Sequence, residues 1–340
     1  MLSSELFASG RVIREPVGFE NGYWAGAPGV FHAADEGAWY LTYRIRRPRG
    51  VAPDRGGEAR IARSTDLQNW EDLWSVTKDK FGSASIERSA IYKAAKGQWH
   101  YFTSYVDPAD GRWCVSCLKS KNVRNFDPGQ VKPLFKAAAL ELEGIKDPWI
   151  LAHDRAFYMF LSVALPTPRT GQQSHSTLDI YNTGECLSAT GLAISRDLED
   201  WQWQGVVFKP QATGWDGYCR RINSVVPYGQ KFIAFYDGSA GHRENYEEKT
   251  GLAVSSDLRR WECLTPSGPF LTSPHASGSL RYIDAQLANG PRNAKSGTLS
   301  VFCEFARPDK AHDLRVTTVS LEALLDAQNA RYEKPSSASC

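Results

Sequence analysis

The sequence predicts an all-β fold, a five-bladed β-propeller, and three observations carry this prediction. A nine-residue turn motif recurs along the chain, aromatic strand segments follow one another at nearly constant spacing, and helical patterns are scarce. A propeller has this organisation because it repeats four-stranded sheets around one axis. The 11 Trp, 14 Tyr and 15 Phe among 340 residues also favour strands.

The turn motif has three close copies and one degraded copy. The close copies have the form Ala-x-Ser-x-Asp-Leu-x-x-Trp and span residues 62–70, 193–201 and 253–261, whereas Asn and Phe replace Asp and Trp in the copy at 118–126. In each copy the Asp or Asn can accept hydrogen bonds from nearby backbone amides, and the aromatic residue re-enters the core. We therefore interpret each copy as a tight polar turn at the end of a strand.

A second series of segments lies upstream of these turns, and each member combines a polar or charged element with an apolar pair, a turn and an aromatic strand. The members begin near Pro28, Arg88, Asp147, Arg221 and Arg281, at intervals of 60, 59, 74 and 60 residues. The long third interval contains residues 166–186, which are rich in Pro, Gly, Gln, Ser and Thr. We expect this insertion to form a long loop over one face of the propeller.

The two ends of the chain complete the predicted fold. Residues 320–327 predict a short helix with Ser320 as its N-cap. Residues 1–14 are expected to supply the strand that closes the ring against residues 314–319. The prediction is a single propeller domain over residues 1–333, followed by a loose tail over 334–340.

The composition argues against nucleic acid and membrane as partners. The 40 Lys and Arg balance 38 Asp and Glu, a formal net charge of +2, without the basic excess of a nucleic-acid binder. No apolar stretch approaches the roughly 18 residues of a membrane span, and the first residues do not form a secretion signal, so a cytoplasmic protein is expected. The seven cysteines, including the Cys114 and Cys117 pair, are expected to be reduced. We expect no cofactor, and the histidines show no spacing typical of a metal site; the oligomeric state and any divalent ion in the funnel are left open.

Two inner segments, Ile145-Lys-Asp-Pro-Trp-Ile-Leu151 and Ile86-Glu-Arg88, together with the turns at 64–70 and 195–201, resemble motifs of one known group of proteins. These are the five-bladed propeller glycosidases and glycoside phosphorylases, which comprise the arabinanase and xylosidase type, the invertase type and the mannoside phosphorylase type. The similarity extends from Tyr23 to about Arg315. It implies a five-bladed propeller that cleaves glycosidic bonds.

Two positions depart from the pattern of that group. Ala27-Pro28 stands where the arabinanase type has its general base Asp in blade one, and Arg220-Arg221 stands where that type has its acid Glu in blade four. The usual catalytic pair of the group therefore does not transfer to this chain.

Carboxylates at the starts of the inner strands are the candidate catalytic residues. The innermost strands of a propeller line its central funnel, so these residues converge although they are far apart along the chain. Glycoside cleavage needs two carboxyl groups about 5 to 9.5 Å apart. Asp147 is the first candidate, and its partner could be Glu87 or Asp284, or else Glu304, which the sequence places near a turn between two later strands. In the alternative interpretation, Asp147 forms a structural pair with a neighbouring arginine.

Three arginines at the same strand starts, Arg88, Arg221 and Arg281, are candidate substrate-binding residues. Guanidinium groups suit carboxylate and phosphate oxygens, and three of them near one axis repel one another without an anion between them. The ligand would then be a uronate or sulfated sugar, a sugar phosphate, or inorganic phosphate as the attacking group. Alternatively, acidic residues neutralise each arginine and hold the blades together.

Two tryptophans and a histidine complete the candidate site. Trp24 and Trp149 adjoin irregular segments and are expected to contact the ligand, whereas most other aromatic residues are expected in the core. His312 lies near a turn and is a candidate substrate-binding residue. It could also form a proton-transfer pair with Asp313, and a solvated turn is the alternative.

The sequence thus predicts a hydrolase-like enzyme of carbohydrate metabolism that cleaves a glycosidic bond, of an anionic or furanose sugar, in the central funnel. The alternatives are a glycoside phosphorylase that uses inorganic phosphate, a propeller that binds carbohydrate without cleaving it, and a scaffold that binds a protein strand on its rim.

Overall fold

Strands make up most of the computed structural model, which describes residues 2–287 and 297–332. Antiparallel pairing groups the strands into five successive sheets. Blade one contains β2 (Trp24–Ala33), β3 (Ala38–Arg47), β4 (Arg55–Ser64) and β5 (Glu71–Thr77). Blade two contains β6 (Ile86–Lys93), β7 (Trp99–Val106), β8 (Trp113–Ser120) and β9 (Lys132–Lys136).

The remaining three blades repeat this order. Blade three contains β10 (Gly144–His153), β11 (Ala156–Pro166), β12 (Cys186–Ser195) and β13 (Gln202–Phe208). Blade four contains β14 (Cys219–Tyr228), β15 (Lys231–Ser239), β16 (Lys249–Ser255) and β17 (Glu262–Cys263). Blade five contains β18 (Leu280–Leu287), β19 (Thr298–Ala306), β20 (His312–Ser320) and β1 (Arg11–Arg14).

The ring closes through the strand β1 from the beginning of the chain. This strand pairs antiparallel with β20 and becomes the outermost strand of blade five. Blade five also meets blade one directly, where Trp24 and His312 form a parallel bridge. The predicted ring closure and the predicted five-bladed propeller are therefore confirmed.

The repeated turns have the same hydrogen bonds in all three close copies. The Asp side chain accepts hydrogen bonds from two backbone amides, at 2.8 Å in the copy at Asp66 and at 2.8 and 2.9 Å in the copy at Asp197. The indole of Trp70 donates to the carbonyl of Leu67, and the equivalent bonds recur in the other copies. The Leu adopts a left-handed conformation each time, with φ of 60° at Leu67. The motif therefore specifies one turn geometry.

Apolar side chains fill the space between each blade and the next. Each of five buried clusters joins residues from two adjoining sheets, for example Leu41 of blade one with Phe302 of blade five. Successive side chains of a strand point to opposite faces of its sheet, so each sheet contributes side chains to the cluster on either side of it. The sheets thus stack around the axis and leave the innermost strands to line a common hub.

A bulge interrupts every innermost strand where it passes the hub. The pairing register shifts after Gly26, Ile86, Lys146, Ile222 and Arg281. Three bulge residues, Ala27, Asp147 and Tyr282, have left-handed φ values of 53°, 57° and 52°. A bulge changes the direction of the side chains next to it. The five bulges therefore turn the side chains at these positions toward the axis of the propeller.

Two helices flank blade five. The helix α2 (Leu321–Tyr332) contains the predicted segment, and the Ser320 hydroxyl accepts a hydrogen bond from the Ala323 amide as the predicted N-cap. The helix α1 (Leu2–Ala8) was not predicted, and its Phe7 lies in the core between blades four and five. The predicted tail at 334–340 lies outside the described residues.

The insertion forms a loop with two short 3₁₀ turns, at Gln172–His175 and Ile180–Asn182, as predicted for an irregular segment. The six cysteines in the described part of the chain are free thiols. Within residues 2–287 and 297–332, no helix is long and apolar enough to cross a membrane.

Candidate active site in the hub

The hub brings together the six charged residues that the sequence placed at the inner strand starts, and with them Glu304, which lies within β19 and not in a turn. Contacts link them across the blades, and all of them are buried. These residues are Glu87, Arg88, Asp147, Arg221, Arg281, Asp284 and Glu304. The predicted convergence of residues some 60 positions apart is therefore observed.

Two carboxylates, Glu87 of blade two and Asp147 of blade three, meet at one hydroxyl. The Glu87 Oε2 and Asp147 Oδ2 atoms each lie 3.5 Å from the Tyr282 hydroxyl oxygen of blade five. The two carboxylate oxygens therefore cannot be farther apart than twice that distance. This places both within reach of a single bond in a bound molecule.

Asp147 is held in place by its neighbours on both sides. Its backbone amide donates to the Ser104 hydroxyl at 3.0 Å, and its Oδ1 accepts a hydrogen bond from the Arg88 amide at 3.3 Å. The Lys146 ammonium lies 3.4 Å from Oδ2. The left-handed backbone of Asp147 is thus fixed by contacts from blade two.

Glu87 is ionised because of the cations around it. Burial alone would raise the pKa of Glu87, but Arg44, Lys146 and Arg46 lower it to about 2. The Arg44 Nε atom lies 2.5 Å from the Glu87 Oε2 atom. A buried carboxylate that stays charged can orient a water molecule or attack an electrophilic carbon.

Arg88 and Asp284 form an ion pair that ties the blades together. The Arg88 Nη2 atom lies 3.3 Å from Asp284 Oδ2, while Nε donates to the Pro28 carbonyl at 2.7 Å and Nη1 to the Asn223 carbonyl at 2.8 Å. Asp284 also accepts hydrogen bonds from the Val30 amide and the Gln286 side chain. For these two residues the geometry agrees with the alternative interpretation, a structural pair.

Arg221 and Arg281 share a carboxylate that the sequence analysis missed. Glu248 precedes β16 and forms ion pairs with both Arg221 and Arg281, at 2.6 Å to the latter. Arg281 also contacts Glu304 at 2.6 Å. The mutual repulsion expected among the three arginines is thus offset by carboxylates.

Asp237 is a second carboxylate that the sequence analysis missed. It lies on β15, is fully buried, and accepts a hydrogen bond from the Tyr282 amide at 3.1 Å, while its Oδ2 has no hydrogen-bond partner among the described residues. Burial, and next the charge of Glu248, raise the pKa of Asp237 to about 7. Asp237 can therefore hold a proton near neutral pH.

The environment of His312 corrects one prediction. His312 is buried, with Nδ1 2.9 Å from Glu304 and Nε2 3.3 Å from Glu247. Asp313 instead binds Arg315, at 2.6 Å, because adjacent residues of a strand face opposite sides. The predicted His312–Asp313 pair and the solvated turn are both wrong. Although burial lowers the pKa of His312, the two glutamates raise it above its usual value.

The two predicted tryptophans lie in different surroundings. Trp24 stacks on His312, with ring centres 4.7 Å apart, and lies among the charged groups. Trp149 lines a cavity of about 480 Å³ at the opposite end of the hub, which the second halves of the inner strands enclose. Of the two, Trp24 is the one placed among the candidate binding residues.

Several residues of this cluster gave no recognisable signal in the sequence. Arg44 and Arg46 alternate with apolar residues on β3, which is the pattern of a strand with a solvated face, yet both are buried. Glu248 stands in a polar run, and Tyr282 resembles any core aromatic residue. Asp237 lies on the second strand of its blade, directly opposite Arg221 of the inner strand. Its place in the hub could be predicted only from the pairing register of these two strands.

Comparisons with known proteins show which solved structures have a similar fold. No protein-family model matches the chain, and no curated protein sequence matches it. Similar solved structures include a glycoside hydrolase (TM-score 0.61, 14% identity, covering 92% of this chain and 93% of that chain) and a thermostable family-43 glycoside hydrolase (0.58, 15%, 90% and 92%). A β-1,2-mannobiose phosphorylase from Listeria innocua is also similar (0.58, 13%, 96% and 96%).

These likenesses establish the fold over nearly the whole chain. The protein has a propeller of the kind found in glycoside hydrolases and glycoside phosphorylases, and the resemblance predicted from the inner segments and the turns is confirmed at this level. Because the identities lie between 13% and 15%, the chemistry has to be argued from the hub itself.

Proposed function

We propose that this protein is a carbohydrate-active enzyme that cleaves a glycosidic bond of an anionic or furanose sugar at the charged end of the hub. The observation that carries the proposal is the meeting of Glu87 and Asp147 at the Tyr282 hydroxyl. These carboxylates come from two blades, and neither belongs to the two positions where the family pattern is lost. The similar structures that are described as glycoside hydrolases and as a phosphorylase support the same class of reaction.

The two carboxylates have different roles in this proposal. Glu87, with its pKa lowered to about 2 by Arg44, Lys146 and Arg46 against the effect of burial, would stay charged and orient the attacking group or act as the nucleophile. Asp147 would transfer the proton to the leaving oxygen. The Tyr282 hydroxyl, within 3.5 Å of both, would hold the two side chains in one orientation.

The attacking group can be water or inorganic phosphate. Phosphorolysis is the second candidate because the hub contains an arginine, Arg46, that contacts two aromatic rings but, among the described residues, no carboxylate. Water attack would release a reducing sugar, whereas phosphate attack would release a sugar phosphate, so the products distinguish the two reactions.

The experiment measures product release from a panel of neutral and uronic furanosides and pyranosides, with and without inorganic phosphate. We expect Asp147→Asn and Glu87→Gln each to lower the rate by about 10²- to 10⁴-fold, the usual contribution of a general acid or base. Asp200→Asn, which changes an exposed carboxylate on the outer edge, is the matched control and should keep the rate.

Full turnover by the Asp147→Asn protein would contradict the assignment of Asp147. Binding of a glycan by the wild-type protein without release of either product would instead favour the propeller that binds carbohydrate and does not cleave it.

A further inference from the structure

Arg46 differs from the other arginines of the hub because, among the described residues, its guanidinium contacts aromatic rings and no carboxylate. It stands directly opposite Trp24 in the pairing of β2 with β3, and only 5% of its surface is exposed to solvent. Its guanidinium carbon lies 4.4 Å from the ring centre of Trp24 and 4.6 Å from that of Tyr246. Within the described residues its guanidinium group forms neither a hydrogen bond nor an ion pair.

Arg44, on the same strand, is by contrast an arginine that pairs with carboxylates. It lies two residues before Arg46 and therefore faces the same side of β3. Its guanidinium contacts Glu87 at 2.5 Å and Glu304 at 3.5 Å. Arg46 has no carboxylate within ion-pair distance among the described residues, and two aromatic rings offset the desolvation of its charge less than a paired carboxylate would. Stability alone thus does not explain Arg46.

The neighbours of Arg46 also present hydrogen-bond donors without acceptors. The indole Nε1 of Trp24 and the Nη1 of Arg44 are buried and have no hydrogen-bond partner among the described residues. The Arg44 guanidinium carbon lies 5.9 Å from the Trp24 ring centre, so the guanidinium groups of Arg44 and Arg46 both lie near the ring that carries this indole donor. A group that satisfies all of them is rich in acceptor oxygens and carries negative charge.

The insertion holds one side of this arrangement in place. The Tyr246 hydroxyl donates a hydrogen bond to Asp179 of the insertion. Asp179 also accepts a hydrogen bond from the Trp113 indole at 3.2 Å and lies 3.6 Å from the Arg55 guanidinium. The ring of Tyr246 is therefore fixed against Arg46, which leaves the nitrogen donors of Arg46 as the part free to bind a ligand.

We propose that Arg46, between Trp24 and Tyr246, binds an oxyanion beside the Glu87 and Asp147 carboxylates. This inference rests on the proposed function and names the substrate class of the same site. The oxyanion can belong to the sugar, as a carboxylate or sulfate, or it can be inorganic phosphate as the attacking group. Both offer the same acceptor oxygens to a guanidinium.

Calorimetry separates the two sources. The probes are inorganic phosphate, D-glucuronate, D-galacturonate, D-glucose 6-sulfate, and the neutral sugars D-glucose and D-galactose. All titrations use the Asp147→Asn protein, so that binding is measured without turnover. Binding of phosphate alone indicates the attacking group, whereas binding of a sugar oxyanion and not its neutral counterpart indicates the substrate.

We expect Arg46→Gln to weaken binding of the oxyanion at least tenfold, and Arg46→Lys to restore part of the affinity. Arg47→Gln is the matched control, since Arg47 is the next residue on the same strand and faces the other side; it should change the affinity less than twofold. A melting temperature of the Arg46→Gln protein no lower than that of the Arg47→Gln protein would show that the effect is not unfolding.

The proposal is overturned if none of the oxyanions binds, or if Arg46→Gln leaves the affinity unchanged. Its failure differs from failure of the proposed function. Arg46-dependent binding in a protein that cleaves no glycoside contradicts only the enzymatic proposal, while cleavage that does not depend on Arg46 contradicts only the oxyanion site.

Discussion

At the scale of single residues, the pH response of the hub follows from Asp237. Burial and the charge of Glu248 raise the pKa of Asp237 from the ordinary 3.8 to about 7. Between these values the folded protein keeps a proton that the unfolded chain has lost. Stability from this group is therefore present below about pH 4 and is lost as the pH rises to about 7.

We predict that Asp237→Asn removes this part of the pH dependence. Asn keeps an oxygen that accepts the hydrogen bond from the Tyr282 amide but does not titrate. The difference in the free energy of unfolding between variant and wild type should change by on the order of a few kcal/mol in favour of the variant between pH 4 and pH 7. Urea unfolding across this range measures it, and parallel pH profiles would contradict the account.

The site residues were predicted only in part, for a physical reason. Glu87, Asp147 and Arg281 were found because inner strand starts repeat at regular spacing along the sequence. Arg46 and Asp237 lie on the second strands of their blades. Alternating polar and apolar residues there also fit a strand with one face in solvent. Both residues are buried because the ring of blades closes around them. The pairing of Arg221 with Glu248 depends on a loop whose path no local pattern specifies.

At the scale of elements, the outer turns should contribute measurably to stability. Asp197 accepts two backbone hydrogen bonds, from Glu199 at 2.8 Å and Asp200 at 2.9 Å. We predict that Asp197→Ala lowers the free energy of unfolding by about 1 kcal/mol, as expected for loss of a side chain that caps backbone amides. Denaturant unfolding measures the change. Asp200→Ala, which removes an exposed neighbouring carboxylate, is the control, and an equal loss in both variants would contradict the role of the turn.

The strands and turns were the elements that the sequence predicted best, since each turn motif fixes both a strand end and a re-entry into the core. The inner bulges were not predicted, because a bulge changes register without any fixed residue type. The helix α1 was missed because seven residues, Leu2–Ala8, are too few for a periodic pattern, and its formation depends on packing of Phe7 between two blades.

At the scale of the whole molecule, the prediction of one domain depends on closure by β1. Ile13 is buried in the cluster between blades five and one. We predict that Ile13→Ala lowers the free energy of unfolding by about 2–4 kcal/mol, the usual cost of removing a buried aliphatic side chain, while unfolding stays a single transition.

Scanning calorimetry tests both parts of this prediction. Val17→Ala, at an exposed position just beyond the same strand, is the control and should change the free energy of unfolding by less than about 0.5 kcal/mol. Two separate transitions in the wild-type protein would contradict the prediction of a single domain.

The central claim is that the carboxylates at the charged end of the hub act on a glycosidic bond. The most direct measurement is a crystal structure of the Asp147→Asn protein with a glycoside that the wild-type protein cleaves. The account predicts the anomeric carbon about 3–3.5 Å from a Glu87 oxygen or from a water bound to it, with the leaving oxygen next to residue 147. A sugar bound in the cavity lined by Trp149, or on the outer rim, would contradict it.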